Sequence, residues 1–129
     1  MRKQAFGKSQ APLTPALRVG DTVYVSGQVP VDTHGRVVGD DVTGQTAQVL
    51  ANLEALLEAA GASKADVVKT LVILSNVKRD FAAMNAVYEE FFPDPKPTRS
   101  TFGAELAIDV LVEIEAVAVV GAGGPTGSR

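Results

Sequence analysis

The sequence predicts an α+β fold: a single domain with one mostly antiparallel sheet and two helices packed on one of its faces. Three observations carry this. Short β-branched runs stand before, between and after two stretches with helical periodicity, in the order strands, helix, strand, helix, two strands. The run Leu111 to Val119 alternates apolar residues with Glu113 and Glu115, which marks a strand with one greasy and one charged face. The 129 residues contain no cysteine, so the core must form without disulfides. By surface scaling a chain of this size buries roughly two thirds of its unfolded surface, enough for such a core.

Residues 1 to 15, with Gly7, Pro12 and Pro15, are expected to be an extended lead-in. Leu17 to Val19, the Gly20-Asp21 turn and Thr22 to Val29 form a predicted hairpin. Simple alternation there puts Tyr24, Ser26 and Gln28 on one face and Val23, Val25 and Gly27 on the other. Arg36 to Val38, between two glycines, is a short arm with weak strand character. Thr43 to Ala60 is the clearest helix: Val49, Leu50, Leu53, Leu56, Leu57 and Ala60 recur at three- and four-residue spacing, with Gln45, Gln48, Asn52 and Glu58 mostly opposite. Asp40, Asp41 or Thr43 can cap it, and Gly61 suits its left-handed terminus.

After a short turn over residues 63 to 66, Val67 to Leu74 is a nearly continuous apolar run and predicts a mostly buried strand. A second helix follows, with Asp80 its expected cap, Phe81, Met84, Val87, Tyr88 and Phe91 its apolar side, and Pro93 its end. Phe92 to Pro97 holds three prolines in six residues and delivers Arg99 with restricted backbone freedom. Arg99 to Glu105 and Val110 to Val120 are expected to pair as a last hairpin. The domain is expected over residues 1–120, with a disordered tail over 121–129 that offers nothing large to pack.

Charge and composition exclude several functions. With 12 basic and 15 acidic residues intermixed and a net charge of −3, no basic stripe for a polyanion is expected, and nucleic acid is not an expected partner. No stretch is long and apolar enough for a membrane span, so a cytoplasmic protein is expected. His34 is the one histidine, in a predicted exposed turn, so neither a metal centre nor a Ser-His relay is expected. An ionised carboxylate in a core strand costs several kcal/mol unless paired, hydrated or at an interface. Arg99 is the cation expected to face Glu113 and Glu115, together with Ser26 and Gln28, on a sheet face too polar for a sealed core and too apolar for free solvent. Subunit association is the economical cover for it.

Four motifs in order, Ser26-Gly27-Gln28, Asn85-Ala86-Val87-Tyr88, Pro97-Thr98-Arg99-Ser100 and Val112-Glu113-Ile114-Glu115-Ala116, resemble those of the reactive-intermediate deaminase family, also called RidA, YjgF or UK114. The resemblance covers roughly residues 11 to 119. It implies a chorismate-mutase-like fold, a homotrimer with sites between subunits, and hydrolysis of 2-imino or 2-enamino acids to 2-keto acids and ammonia without metal or organic cofactor. By motif position Arg99 is implied to hold the substrate carboxylate and Glu113 to handle the attacking water. Ser26 and Gly27 are implied to wall the site, and Asn85 and Thr101 to bind substrate beside it. Thr14-Pro15-Ala16-Leu17 departs from the family's Gly-Pro-Tyr segment, and Leu106-Ala107 from its usual Leu-Pro.

Plainer roles stand beside these. Arg99 could pair with a surface or interface carboxylate, Glu113 and Glu115 could be charges on a wetted face, and Ser26-Gly27 could be only a strand bulge. Asn85 and Tyr88 could be only helix polar and core residues, and Glu115 suits an interface pairing. At the level of function, a slow or regulatory 2-keto-acid-binding trimer competes with the hydrolase, and an endoribonuclease stands behind both.

Overall fold

The computed structural model describes residues 1–124. Nine elements follow one another: β1 (Gln4–Phe6), β2 (Ala16–Val19), β3 (Thr22–Gln28), α1 (Val42–Ala59), a 3-10 turn (Lys64–Asp66), β4 (Val67–Leu74), α2 (Val77–Phe91), β5 (Thr98–Gly103) and β6 (Val112–Val119). The six strands form one sheet in the order β1-β2-β3-β6-β4-β5, antiparallel throughout except for the parallel pair β4 and β5. Both helices cover one face. Their buried residues Val49, Leu50, Leu53, Leu57 and Met84 meet Val23, Val25, Val72, Ile114 and Ala116 from the sheet in one core. Among the described residues no helix is long and apolar enough to cross a membrane.

The predicted last hairpin does not form. Strand β5 lies parallel to β4 at the sheet edge, with Arg99 opposite Thr70, while β6 runs down the centre between β3 and β4. The helix α2 joins β4 to β5 as a crossover, which returns the chain parallel to the strand it left. Residues 104–111 must then cross the end of β4 to reach the centre, and Ser75 N–H donates to Leu111 O on the way.

Strand β4 is half-buried rather than mostly buried: Thr70, Val72 and Leu74 face the helices, while Leu71 and Ile73 face outward opposite Glu115 and Glu113. The second sheet face thus carries apolar residues beside carboxylates, including Tyr24 at 50% exposure and Phe102 at 46%. Apolar residues on both sides of a strand hide its alternation, which is why the run looked continuous.

The helices differ from expectation at their polar positions. Asp41 caps α1 by accepting from Gly44 N–H, as expected. Gln45 and Asn52, expected opposite the core, instead satisfy loop backbone: Gln45 donates to Gly39 O and accepts from Leu111 N–H, and Asn52 donates to both Val29 O and Val31 O. Loops packed on a helix leave backbone groups that water cannot reach, and amide side chains supply the partners. Gly39 permits the close approach, since a Cβ there would stand 2.7 Å from Gln45 N.

Asn76, not Asp80, caps α2 by accepting from Arg79 N–H, and the buried Asp80 takes both Nε and Nη2 of Arg79. The helix stops before Pro93. The lead-in contributes the edge strand β1, paired with β2 from Gln4 opposite Arg18. Of the expected tail, residues 121–124 turn back so that Gly123 N–H donates to Asp66 Oδ1, and the remainder lies outside the described residues.

Candidate functional site

Two half-sites lie on opposite faces of the sheet. The first is at the β5 edge on the helix side. Arg99 projects from β5 toward α2, its Cζ 4.8 Å from the centroid of the Tyr88 ring and 5.7 Å from that of Phe81. Among the described residues its guanidinium makes no ion pair and no hydrogen bond. No carboxylate of the described residues therefore fills the pairing role weighed above. Asn85 Oδ1 and Thr101 Oγ1 are buried without a hydrogen-bond partner, and such atoms cost free energy unless something completes them. A concavity of about 400 Å³ is lined here by Asn85, Tyr88, Glu89, Lys96, Pro97 and Arg99. The stiff segment before Arg99 is fastened to the end of α2, where Lys96 Nζ donates to the carbonyls of Glu89 and Phe92.

The second half-site is at one end of the outward face. Between Val25 and Gln28 strand β3 carries one extra residue relative to β6, a β-bulge that interrupts the predicted alternation. Gly27 consequently sits against Glu113 instead of the core. A Cβ on Gly27 would stand 2.1 Å from Glu113 Oε2, so any larger residue must displace that carboxylate. Ser26 is held by the lead-in: its hydroxyl donates to Thr14 O at 2.7 Å and its N–H to Pro15 O at 2.8 Å. A pocket of about 570 Å³ opens around Gly27 and Glu113, with Leu13, Ala107 and Ile108 among its apolar walls.

Burial raises the Glu113 carboxyl above the ordinary carboxylate range, and the Glu115 charge two residues along adds to the shift. The carboxylate has no ion-pair or hydrogen-bond partner among the described residues. Burial likewise raises the Tyr88 phenol, against the opposing pull of its Thr70 hydrogen bond and the Arg99 charge. No cluster of three or more His, Cys, Asp or Glu suited to a metal ion occurs among the described residues.

Arg99 and Glu113, expected on one face, are thus apart within the chain. Strand β4 lies between them and their partners on it, Thr70 and Ile73, are three residues apart, which at ordinary strand spacing and rise separates their backbones by roughly 14 Å, and their side chains leave opposite faces. Asn85 and Thr101 group with Arg99, Ser26 and Gly27 with Glu113. The aromatic bracket of Phe81 and Tyr88 escaped sequence reasoning, because helical periodicity marks both as core and nothing local indicates that the edge strand brings an arginine to them.

Replacing Gly27 by alanine tests the second half-site. The backbone at Gly27 is not in the left-handed region, so alanine should fold there, and the added methyl must push the Glu113 carboxylate aside. Turnover is expected to fall roughly 10- to 100-fold, the scale of a misplacement near 1 Å, with little change in thermal midpoint.

A family model described as Endoribonuclease L-PSP matches residues 3–120. A RutC family protein of Pyrococcus abyssi is 44% identical over 113 residues, spanning 86% of this chain and 88% of its own. A Salmonella typhimurium protein named 2-iminobutanoate/2-iminopropanoate deaminase is 43% identical over 112 residues, spanning 84% and 87%. Among solved structures, yeast Mmf1 superposes with a TM-score of 0.87 at 30% identity over 92% of this chain and 99% of its own. RidA from the Antarctic bacterium Psychrobacter sp. does so with 0.82 at 34% identity over 88% and 92%. With the mixed sheet, the helices on one face and near-complete coverage in sequence and structure, the chain belongs to the RidA/YjgF/UK114 family, the reactive-intermediate deaminases.

Proposed function

We propose that the chain hydrolyses 2-imino or 2-enamino acids to 2-keto acids and ammonia, at sites that two subunits of a homotrimer complete. The observation that carries this is the pairing of two unmet needs. Among the described residues Arg99 is a cation with no counter-ion and Glu113 a half-buried carboxylate with no partner, each beside its own concavity, on opposite faces of one sheet. A face-to-edge association of copies brings the Glu113 half of one subunit to the Arg99 half of the next and covers Tyr24 and Phe102 as well.

The chemistry follows from those groups. A guanidinium grips the substrate carboxylate through two parallel hydrogen bonds and thereby fixes the adjacent iminium carbon. Asn85 Oδ1 accepts a hydrogen bond from the bound molecule beside it, and the Thr101 hydroxyl donates to it or accepts from it. Glu113 takes a proton from water as the water oxygen bonds to that carbon, giving a carbinolamine. The same carboxyl then delivers that proton to nitrogen and, as the C–N bond breaks, takes the carbinolamine hydroxyl proton, so that the keto acid and ammonia leave. The iminium is already electrophilic, so this sequence asks nothing of a metal or organic cofactor.

A second reading has its own observation. At the second half-site Thr14 and Pro15 contribute backbone carbonyls, both used by Ser26, and no side-chain donor stands where the family has its tyrosine. A trimer that binds 2-keto acids and turns over slowly fits that. RNA cleavage is disfavoured by the net charge of −3.

An amino-acid oxidase supplying imines from several amino acids decides between them. Keto-acid release faster than the spontaneous rate is expected for the hydrolase; keto-acid binding without acceleration would leave the regulatory reading. Sedimentation equilibrium is expected to show a trimer at micromolar concentration. A monomer would remove the shared site.

A further inference from the structure

Resting on the carboxylate clamp just described, one feature of the first half-site assigns further residues to it. Among the described residues Arg99 is met by aromatic faces and by no carboxylate. Phe81 and Tyr88 stand seven residues apart on α2, two helical turns, and so share the face that β5 crosses. Tyr88 is 5% exposed, and its hydroxyl lies 2.6 Å from Thr70 Oγ1 in a buried hydrogen bond. Thr70 stands directly across the β4–β5 ladder from Arg99. The ring beneath the guanidinium is therefore held at both ends, by α2 at its Cα and by β4 at its hydroxyl.

The physical difference between the two kinds of partner is in the donors. A carboxylate would stabilise the cation by occupying its N–H groups, the same groups a substrate carboxylate needs. An aromatic face attracts the cation through its quadrupole and leaves all five N–H donors free. We propose that Tyr88 is a positioning residue for Arg99, its ring orienting the guanidinium without competing for it, and that Thr70 fixes the ring through the buried hydroxyl bond. Phe81, more exposed at 41%, brings a second ring within 5.7 Å of the guanidinium. A tyrosine that merely filled the core would satisfy its hydroxyl in the same way, so the test must read Arg99 itself.

Two readouts on Tyr88→Leu, Tyr88→Phe and Thr70→Val do so. The first is the Arg99 Nε–Hε resonance in ligand-free, nitrogen-15-labelled protein, assigned by its absence from Arg99→Lys. The second is pyruvate binding by calorimetry, beside thermal unfolding. Wild type is expected to show a ring-current-shifted, slowly moving Arg99 side chain. Tyr88→Leu should lose the shift and weaken pyruvate binding roughly 3- to 30-fold, the range of a partly desolvated cation–π contact. Tyr88→Phe should restore the shift and most of the binding, while both it and Thr70→Val show a faster-moving Arg99. A folded, assembled Tyr88→Leu with wild-type binding and an unchanged Arg99 resonance overturns the proposal. Should Tyr88→Leu fail to fold, wild-type Arg99 mobility in both Tyr88→Phe and Thr70→Val overturns it equally. A wild-type protein that binds no 2-keto acid counts against the clamp, and the ligand-free resonance still decides the positioning role.

Discussion

Replacing Glu113 by glutamine is expected to lower turnover by roughly 100- to 10,000-fold, the usual contribution of a positioned general acid–base, while 2-keto-acid binding changes little. The amide keeps the shape of the side chain beside Gly27 and can no longer move protons. The same variant should be no less stable than wild type at neutral pH. Burial raises the folded pKa of Glu113 above its unfolded value, so the folded protein holds that proton more tightly. The ionised group therefore destabilises the fold fully above the folded pKa, and this penalty vanishes as pH falls below the ordinary glutamate pKa. A Glu113→Gln protein with a thermal midpoint at or above wild type at pH 7, the difference closing in acid, together with collapsed turnover, separates a catalytic carboxylate from a structural one. Unchanged turnover would pass the water-handling role to Glu115, the next carboxylate on that face.

Arg99→Lys carries the second large effect. Lysine retains the charge but offers a point donor in place of a planar fork, so two parallel bonds to a carboxylate are lost along with the orientation they impose. Losing one charged hydrogen bond costs about 1.5–3 kcal/mol, or roughly 10- to 150-fold in transition-state binding. Folding should survive, because among the described residues Arg99 holds no ion pair whose loss would strand a buried charge. Pyruvate or 2-oxobutanoate calorimetry beside thermal unfolding checks both halves of the expectation. Wild-type affinity in Arg99→Lys would end its assignment as the clamp.

The local sequence specifies most elements because each is written in a single period. The three- and four-residue recurrence from Val49 to Ala60 locates α1, and alternation through Leu111 to Val119 locates β6 with Glu113 and Glu115 outward. Long-range placement is a different matter. The pairing of β5 with β4 in place of β6 depends on how α2 packs, and no pattern within residues 98–119 records it. One extra residue in β3 moved Gly27 from the core side to the carboxylate, since alternation cannot survive a bulge. Gln45 and Asn52 look like solvent-facing positions on a helical wheel, yet loops from elsewhere in the chain take their hydrogen bonds. The candidate site residues stand out by type, as an arginine after prolines and a carboxylate among valines. Their faces were not: Arg99 follows β5 to the helix side, and only the sheet order reveals that it cannot meet Glu113 of its own chain.

That separation makes the proposed shared site directly testable. Arg99→Lys and Glu113→Gln proteins are each expected to be nearly inactive. If a site takes its arginine from one subunit and its glutamate from the next, unfolding and refolding them together at equal concentrations creates sites that receive Arg99 from the second variant and Glu113 from the first. Random assembly in a closed ring gives such sites at roughly one quarter of positions, so imine hydrolysis should return to about one quarter of the wild-type rate. Activity no greater than the sum of the two separate variants, in a mixture shown to have exchanged subunits, would contradict the shared site and with it the proposed mechanism.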